Sequence, residues 1–168
     1  MFRLKKALFI GRFQPLHLGH LDAIKQILDV YDYVQIIIGS AQHSSTQYNP
    51  LSLDTRKKML EKALSVEGIS NYEMIPIDDV NDDEGWIREV NSRTDYYMAY
   101  ILHNPHVEKI FLEKGLPLKK VKKNIDIHDT SIREMVREGD SRWRQYVHPS
   151  TLGILDEAGF EKTVREAS

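Results

Sequence analysis

Cysteine is absent from all 168 residues, so disulfide bonds, thiolate nucleophiles and cysteine zinc sites are excluded. An excess of charge of one sign is lacking too, because 25 acidic and 23 basic side chains leave a formal net charge of −2. This balance argues against a protein that mainly coats nucleic acid. No apolar run could span a membrane, and the run near the N-terminus is interrupted at Arg12. We therefore expect a cytoplasmic protein with no membrane and no nucleic-acid partner.

Length and composition suit one globular domain over 1–168. Apolar residues make up 41% of the chain and charged residues 29%, which are ordinary values for a domain with its own core. No internal repeat, low-complexity tract or linker divides the chain. We expect the part from about residue 130 onward to be helical and to pack on the rest.

The first half alternates buried strands with amphipathic helices. A continuous apolar run predicts a strand at 7–11, a run rich in β-branched residues predicts a second at 33–39, and a third is predicted at 72–77. Helical spacing of apolar residues predicts helices at 18–30 and 52–64, the second capped by Ser52 or Asp54. Strands that alternate with helices are typical of a parallel sheet covered on both faces. The sequence therefore predicts an α/β fold of the Rossmann-like class.

The second half gives weaker signals. Residues 95–102 fit a strand or part of a helix, because periodicity does not decide between them. Asn104-Pro105 marks a turn before a short helix, and 118–123 fits an edge strand. A helix is predicted over 130–138 with Gly139 as its stop, and one last helix is predicted after residue 150.

The segment from Gly11 to His20 joins the first predicted strand to the first predicted helix. In an open parallel sheet, ligands bind beyond the carboxyl ends of the strands, where this turn lies. Gly11 allows close approach of a ligand, and Gly19 keeps the first helical turn, with its unpaired N–H groups, clear of a side chain. His17 and His20 can face the same side, and Arg12 adds a permanent charge. The pattern indicates a cradle for a polyphosphate, although an isolated His-x-x-His is more often a pair of surface histidines.

This decapeptide, Gly-Arg-Phe-Gln-Pro-Leu-His-Leu-Gly-His, resembles the signature of the HxGH nucleotidyltransferase superfamily. Its form is similar to that of the archaeal nicotinamide-nucleotide adenylyltransferases. Ile-Gly-Ser-Ala-Gln at 38–42, and Asn-Pro-Leu-Ser at 49–52 followed by Arg56, resemble further segments of that family in the same order. The likeness is close over the first half of the chain and looser over the second.

The resemblance implies a Rossmann-like nucleotidyltransferase with a central parallel sheet, commonly a homo-oligomer, that joins ATP to nicotinamide mononucleotide (NMN) and forms NAD and pyrophosphate. It implies Mg²⁺ held mainly by phosphates and water, with no metal-ligand set in the protein. The catalytic residues would be Arg12, His17, His20 and Arg133. The ATP site would comprise Gly11, Arg12, Phe13, His17, Gly19, His20, Thr130, Ser131 and Arg133, and the NMN site Ser40, Ala41, Gln42, Arg56, Asp79 and Trp86.

Trp86 and the acidic residues before it leave alternatives open. The resemblance implies that Trp86 stacks on the nicotinamide ring, while core packing is the simpler interpretation of the residue alone. Asp78 and Asp79 could accept hydrogen bonds from the carboxamide or the ribose. For the residues at 82–84 we expect a solvated acidic turn.

The chain departs from the family pattern near Thr130. There the family has two small residues before the Thr, and this chain has His128 and Asp129. We expect Asp129 to cap the helix, since a carboxylate beside a triphosphate repels it unless a metal or an Arg intervenes. Arg133 keeps its spacing from Thr130 and is expected to bind phosphate. The departure leaves two other functions open: adenylyl transfer to another acceptor, such as phosphopantetheine or flavin mononucleotide, and nucleotide sensing without catalysis.

Overall fold

The computed structural model describes residues 2–168. Its strands form one parallel sheet, in which the described strands lie in the order β3-β2-β1-β4-β5. In chain order they are β1 (Lys6–Gly11), β2 (Tyr33–Ile38), β3 (Tyr72–Pro76), β4 (Met98–Ile101) and β5 (Leu118–Lys120). The order reverses between β1 and β4, so the carboxyl ends of these two strands flank a crevice at which α/β proteins bind ligands.

Helices connect the strands and complete the C-terminal part. They are α1 (Leu18–Leu28), α2 (Leu53–Val66), α3 (Asp83–Arg93), α4 (Pro105–Glu113), α5 (Asp129–Arg137), α6 (Leu152–Glu157) and α7 (Phe160–Glu166). Short 3₁₀ helices lie at Ser141–Tyr146 and Pro149–Thr151. None of these helices in residues 2–168 is both long and apolar enough to cross a membrane.

The two faces of the sheet are buried in separate apolar cores. Alternate residues of β1 point to opposite faces, with Phe9 in one core and Leu8 in the other. The larger core contains residues from α1, α2 and α5 to α7, and the smaller one contains residues from α3 and α4. Because β1 is covered on both faces, its run of apolar residues is continuous, as the sequence predicted. The predicted α/β fold with helices on both faces is confirmed.

The structure decides the conformation of residues 95–102 and corrects that of the chain after residue 150. The ambiguous segment 95–102 contributes β4, whose Ala99 and Ile101 are fully buried between neighbouring strands. The prediction of a single last helix is wrong, because the chain after residue 150 forms two helices, α6 and α7, separated at Gly159. Gly159 has φ +66°, a left-handed conformation that favours glycine and ends α6.

The C-terminal helices share their core with the sheet. Ile132 of α5, Trp143 and Phe160 belong to the same apolar cluster as Phe9 of β1. Trp143 packs edge to face on Phe160, with ring centroids 5.4 Å apart. α5 to α7 therefore share one continuous apolar cluster with the sheet. This packing also brings the N-terminus of α5 to the carboxyl edge of the sheet.

Candidate active site

Two adjoining cavities open at the carboxyl ends of β1 and β4. Cavity 1, of about 560 Å³, lies between the Gly11–His20 segment, the loop after β4 and the start of α5. Cavity 2, of about 310 Å³, lies between the loops after β1, β2 and β3 and the helices α3 and α4. Both are lined by Gly11, Arg12 and Asn104. The crevice predicted from the strand order therefore holds two compartments joined at Arg12.

His17 and His20 are fixed by the first turn of α1. His17 is the N-cap, and its Nδ1 accepts hydrogen bonds from the backbone N–H groups of Gly19 (3.0 Å) and His20 (3.3 Å). The Nδ1 atom of His20 accepts in turn from the N–H of His17 at 3.1 Å. This is a capping box in which two imidazoles take the usual places of Ser and Glu. Since both Nδ1 atoms are acceptors, each neutral ring carries its hydrogen on Nε2.

Burial keeps both imidazoles neutral. Their rings stack with centroids 3.7 Å apart, and His17 is 2% and His20 6% exposed. Burial, together with the neighbouring His20, holds the pKa of His17 well below its usual range. Burial lowers the pKa of His20 to about 3, with a smaller contribution from His128. Two Nε2–H donors that both belong to residues lining cavity 1 can bind phosphate oxygens without changing their protonation.

Gly19 makes room for the ring of His17 and not, as the sequence suggested, for the phosphate. A Cβ at this position would lie 2.9 Å from Cε1 and 3.0 Å from Nδ1 of His17. Gly11 has a similar role for Phe13, whose Cζ would lie 3.0 Å from an added Cβ. Phe13 is fully buried, has φ +56° and packs on His20 with ring centroids 4.7 Å apart. Gly19 thus leaves space for the ring of His17, and Phe13 packs on the ring of His20. Neither Gly19 nor Phe13 lines cavity 1.

The start of α5 forms the opposite wall of cavity 1. Thr130 and Ser131 line the cavity, and α5 has no side-chain cap. The expected cap by Asp129 is wrong, because the N-cap position belongs to His128 and Asp129 is the first helical residue. Oδ1 of Asp129 accepts from the N–H of Thr130 at 2.9 Å, and Oδ2 lies 3.4 Å from the guanidinium of Arg133. Asp129 itself lines cavity 1, and the guanidinium of Arg133 offsets part of its charge.

Arg133 is 2% exposed and lies behind the wall of cavity 1. Its Nη1 donates to the backbone carbonyl of Gln14 at 2.7 Å, and its Nη2 to Oγ1 of Thr130 at 3.3 Å. Its buried Nε has no hydrogen-bond partner among residues 2–168. Arg133 thus ties α5 to the Gly11–His20 segment, and one of its donors remains unused.

Comparisons with known protein sequences identify relatives of this chain. The family described as cytidylyltransferase-like matches residues 8–146. A protein of Picrophilus torridus named nicotinamide-nucleotide adenylyltransferase is 35% identical, over 97% of both chains. One of Pyrococcus furiosus with the same name is 36% identical, over 96% of this chain and 88% of the relative. The chain belongs to the cytidylyltransferase-like family, and within it to the nicotinamide-nucleotide adenylyltransferases.

A solved structure agrees with this assignment. The bifunctional NMN adenylyltransferase/ADP-ribose pyrophosphatase of Francisella tularensis superimposes with a TM-score of 0.75 at 25% identity, over 96% of this chain and 53% of that one. The chain thus spans about half the length of that bifunctional protein. A second structure of the Francisella protein, complexed with AMP and a Mn ion, has the same TM-score at 26% identity. The resemblance seen in the sequence motifs is therefore confirmed over nearly the whole chain.

Cavity 2 gathers half of the residues that the sequence predicted for NMN. Ser40, Asp79 and Trp86 line it. Ala41 is buried, and Gln42 makes two hydrogen bonds to the backbone of Asp79, at 2.8 and 2.9 Å. These two residues therefore shape the loops around cavity 2 without lining it. Asp78 is exposed and does not line it either.

The expected contact of Arg56 with the NMN phosphate is not supported, because this side chain lies beneath the site. Arg56 is fully buried, and its Nη1 donates to the carbonyls of Arg12 (3.0 Å) and Gly39 (2.8 Å). Its Nη2 reaches the carbonyls of Ser40, Ala41 and His43, and its Nε that of Ser52. The guanidinium thus holds together the chain ends that leave β1 and β2. Burial lowers its pKa to about 10, with Arg12 as a smaller cause.

The acidic residues 82–84, predicted to form a solvated turn, begin helix α3 instead, although Asp82 and Glu84 are exposed as expected. Asp82 caps α3 through the N–H of Gly85. Asp83 lines cavity 2 and pairs with His106 of α4, whose Nε2 lies 2.9 Å from Oδ1 of the carboxylate. Glu84 pairs with Lys114 at the other end of α4. The acidic residues therefore begin α3, join it to α4 and add a carboxylate to cavity 2.

Several lining residues were not recognised in the sequence. Leu102, His103 and Asn104 follow β4 directly, and His128 precedes α5. The first three could have been found if 95–102 had been assigned as a strand beside β1, because its carboxyl end then borders the crevice. No local sequence pattern predicts that His106 and Asp83 line cavity 2, since their pairing depends on how α3 and α4 pack.

Proposed function

We propose that this protein transfers the adenylyl group of ATP to NMN and forms NAD and pyrophosphate. The observation that carries this proposal is the pair of neutral imidazoles whose Nε2–H donors belong to cavity 1, with Arg12 at its junction with cavity 2. Two mononucleotide-sized compartments that meet at phosphate-binding groups suit a reaction that joins two nucleotides. The names of the relatives agree with it.

In the proposed reaction, the phosphate of NMN attacks the α-phosphorus of ATP. An oxygen–phosphorus bond to NMN forms, and the bond between the α-phosphorus and the bridging oxygen breaks, so pyrophosphate leaves with the electron pair. Because the attacking phosphate is already ionised, no general base is needed, and catalysis rests on alignment and charge stabilisation. His17 and His20 would donate to the α-phosphate, and Arg12 would offset charge where the two substrates meet. Thr130 and Ser131 would bind the other phosphates, supported by Arg133.

Mg²⁺ is proposed as the metal. It prefers oxygen ligands from phosphates and water with one or two carboxylates, and Asp129 and Glu134 supply carboxylates to cavity 1. Oδ1 of Asp129 already accepts the N–H of Thr130, so this residue fits a contact through a water better than a direct one. The ion would neutralise charge on the triphosphate. Within residues 2–168, no three His, Asp or Glu side chains form a metal-binding group.

NMN would occupy cavity 2. Trp86 is half-buried at the wall of this cavity and would stack on the nicotinamide ring. Asp79 lines the same cavity and would accept a hydrogen bond from the carboxamide or the ribose. Ser40 would face the NMN phosphate near Arg12. We propose the cytoplasm as the place of the reaction, because ATP is the donor and the chain needs no disulfide. A homo-oligomer remains a proposal from the resemblance.

The test is pyrophosphate release from ATP and Mg²⁺ with NMN, phosphopantetheine or flavin mononucleotide as the acceptor. We expect NAD formation with NMN, and its loss in His20→Ala, whose folding is checked by thermal unfolding. Turnover with another acceptor alone would keep the chemistry and discard the substrate. ATP binding without turnover on any acceptor would indicate a nucleotide sensor and contradict the proposal.

A further inference from the structure

Two histidines that line cavity 1, and a lysine that contacts one of them, have no part in the proposed reaction. His103 follows β4 and His128 precedes α5, and both line the cavity. Their rings meet edge to face, with centroids 5.7 Å apart. The Nζ atom of Lys123 lies 2.8 Å from Nε2 of His128. The three side chains form one group, here called the basic arm.

The basic arm has a free ring donor. An ammonium group can only donate, so Nε2 of His128 is the acceptor and Nδ1 of the neutral ring carries the hydrogen. Lys123 also contacts Oδ1 of Asp126 at 2.8 Å, and Asp126 is 87% exposed. An exposed pair of this kind is weak, so an anion in the cavity can compete for the lysine.

The fixed charges of the residues that line cavity 1 do not offset a polyphosphate by themselves, and the proposed Mg²⁺ would offset only part of its charge. Among the residues that line it, Arg12 is the one Lys or Arg, whereas Asp129 and Glu134 are both carboxylates. His17 and His20 are held neutral and contribute donors without charge. A nucleoside triphosphate carries several negative charges, so these groups alone balance it poorly. Lys123 supplies a cation next to the wall where Asp129 stands.

The uncapped start of α5 lies at the same place. In α1 to α4 a side chain accepts hydrogen bonds from the first N–H groups, whereas the N-cap side chain of α5, His128, makes no such bond. Its ring contacts Lys123 instead. One of the first N–H groups of α5, that of Thr130, is taken by Oδ1 of Asp129, and those that remain lie beside the basic arm, where an anion is favoured.

We propose that the basic arm of Lys123, His128 and His103 binds the β- and γ-phosphates of ATP, and therefore the departing pyrophosphate. The inference rests on the proposed function for the identity of the nucleotide. It gives a role to His128, which stands where the family pattern has a small residue. The arm acts on the leaving group, so it governs the affinity for ATP and pyrophosphate and not that for AMP.

The experiment measures equilibrium binding of ATP, AMP and inorganic pyrophosphate, at fixed Mg²⁺, to wild type, His128→Ser and Lys123→Met. Lys122→Met is the matched control, because this neighbouring lysine is exposed as Lys123 is, whereas the contact with the ring of His128 is made by Lys123. We expect each arm variant to weaken ATP and pyrophosphate binding about tenfold, as for loss of a hydrogen bond to a charged group, and to leave AMP within twofold. His128→Gln, which keeps a donor, should recover part of the loss.

Each outcome decides the inference separately from the proposed function. Equal losses for AMP and pyrophosphate, or no loss in either arm variant, would overturn the inference even if wild type makes NAD. The expected binding pattern in a protein that makes no NAD would keep the arm and reject NMN as acceptor. A wild type that binds neither ATP nor pyrophosphate would overturn both.

Discussion

Gly19→Ala tests whether the position of the His17 ring controls catalysis. The added Cβ would lie 2.9 Å from Cε1 of His17, about 0.5 Å inside ordinary contact, and 3.4 Å from Cγ2 of Ile127. The ring cannot move away freely, because His20 stacks on its other side at 3.7 Å. We expect a displaced imidazole and longer hydrogen bonds from the N–H groups of the first helical turn. A misplacement of about 1 Å in a reacting constellation costs roughly 100-fold in rate, so a shift of half that size should cost roughly tenfold.

Gly19→Ala should change the free energy of unfolding only slightly, so its loss of activity can be told apart from a loss of folding. Ala is favoured over Gly in a helix by up to about 1 kcal/mol, and a weakened N-cap costs about the same. Steady-state NAD formation should therefore show kcat/KM reduced about tenfold, while the free energy of unfolding in urea changes by less than about 1 kcal/mol. Gly153→Ala is the control, because its Cβ meets nothing within 4 Å, and it should keep full activity. Activity of Gly19→Ala within twofold of wild type would refute the reasoning.

Three further predictions follow from the buried groups. Because the pKa of His20 is about 3 in the folded protein and 6.5 ordinarily, the unfolded chain binds a proton that the folded chain does not, and His20 should make the stability present above pH 6.5 fall by about 1.4 kcal/mol per unit toward pH 3, with a further contribution from His17, whose pKa is lowered too. Urea unfolding at several pH values measures this, and an equally steep slope in His20→Gln would count against it. Arg56→Met should lower the free energy of unfolding by about 3 kcal/mol, since buried carbonyls lose their donor, with partial recovery in Arg56→Lys; a loss below 1 kcal/mol would show that water replaces the guanidinium. Trp86→Leu should raise the KM for NMN about three- to tenfold and leave that for ATP unchanged, as stacking energies imply, whereas Tyr97→Leu at the amino end of β4 should change neither; a matching rise for ATP would argue against stacking.

Local pattern was sufficient for much of the fold. The continuous apolar run at 7–11 and the β-branched run at 33–39 became the central strands, because a strand covered on both faces favours apolar residues on each of them. Ser52 caps α2 as one of two predicted candidates. At 95–102 the pattern was ambiguous, since a short apolar run looks alike in a buried strand and in a helix. Pairing with β1 and β5 decided it.

The roles of some residues of the candidate site could be predicted from the sequence, and those of others depended on tertiary packing. The sequence by itself determined that His17 and His20 begin a helix after a buried strand, because strand, turn and helix signals all lie within 20 residues. Only the tertiary structure decided what Arg56 does, since its partners are backbone carbonyls brought together from β1, β2 and their loops. The pairing of Asp83 with His106, and that of Lys123 with His128 and His103, likewise depended on how separate elements pack. Local composition sets which backbone forms, whereas the partners of a charged side chain are set by whatever folding brings within about 4 Å of it.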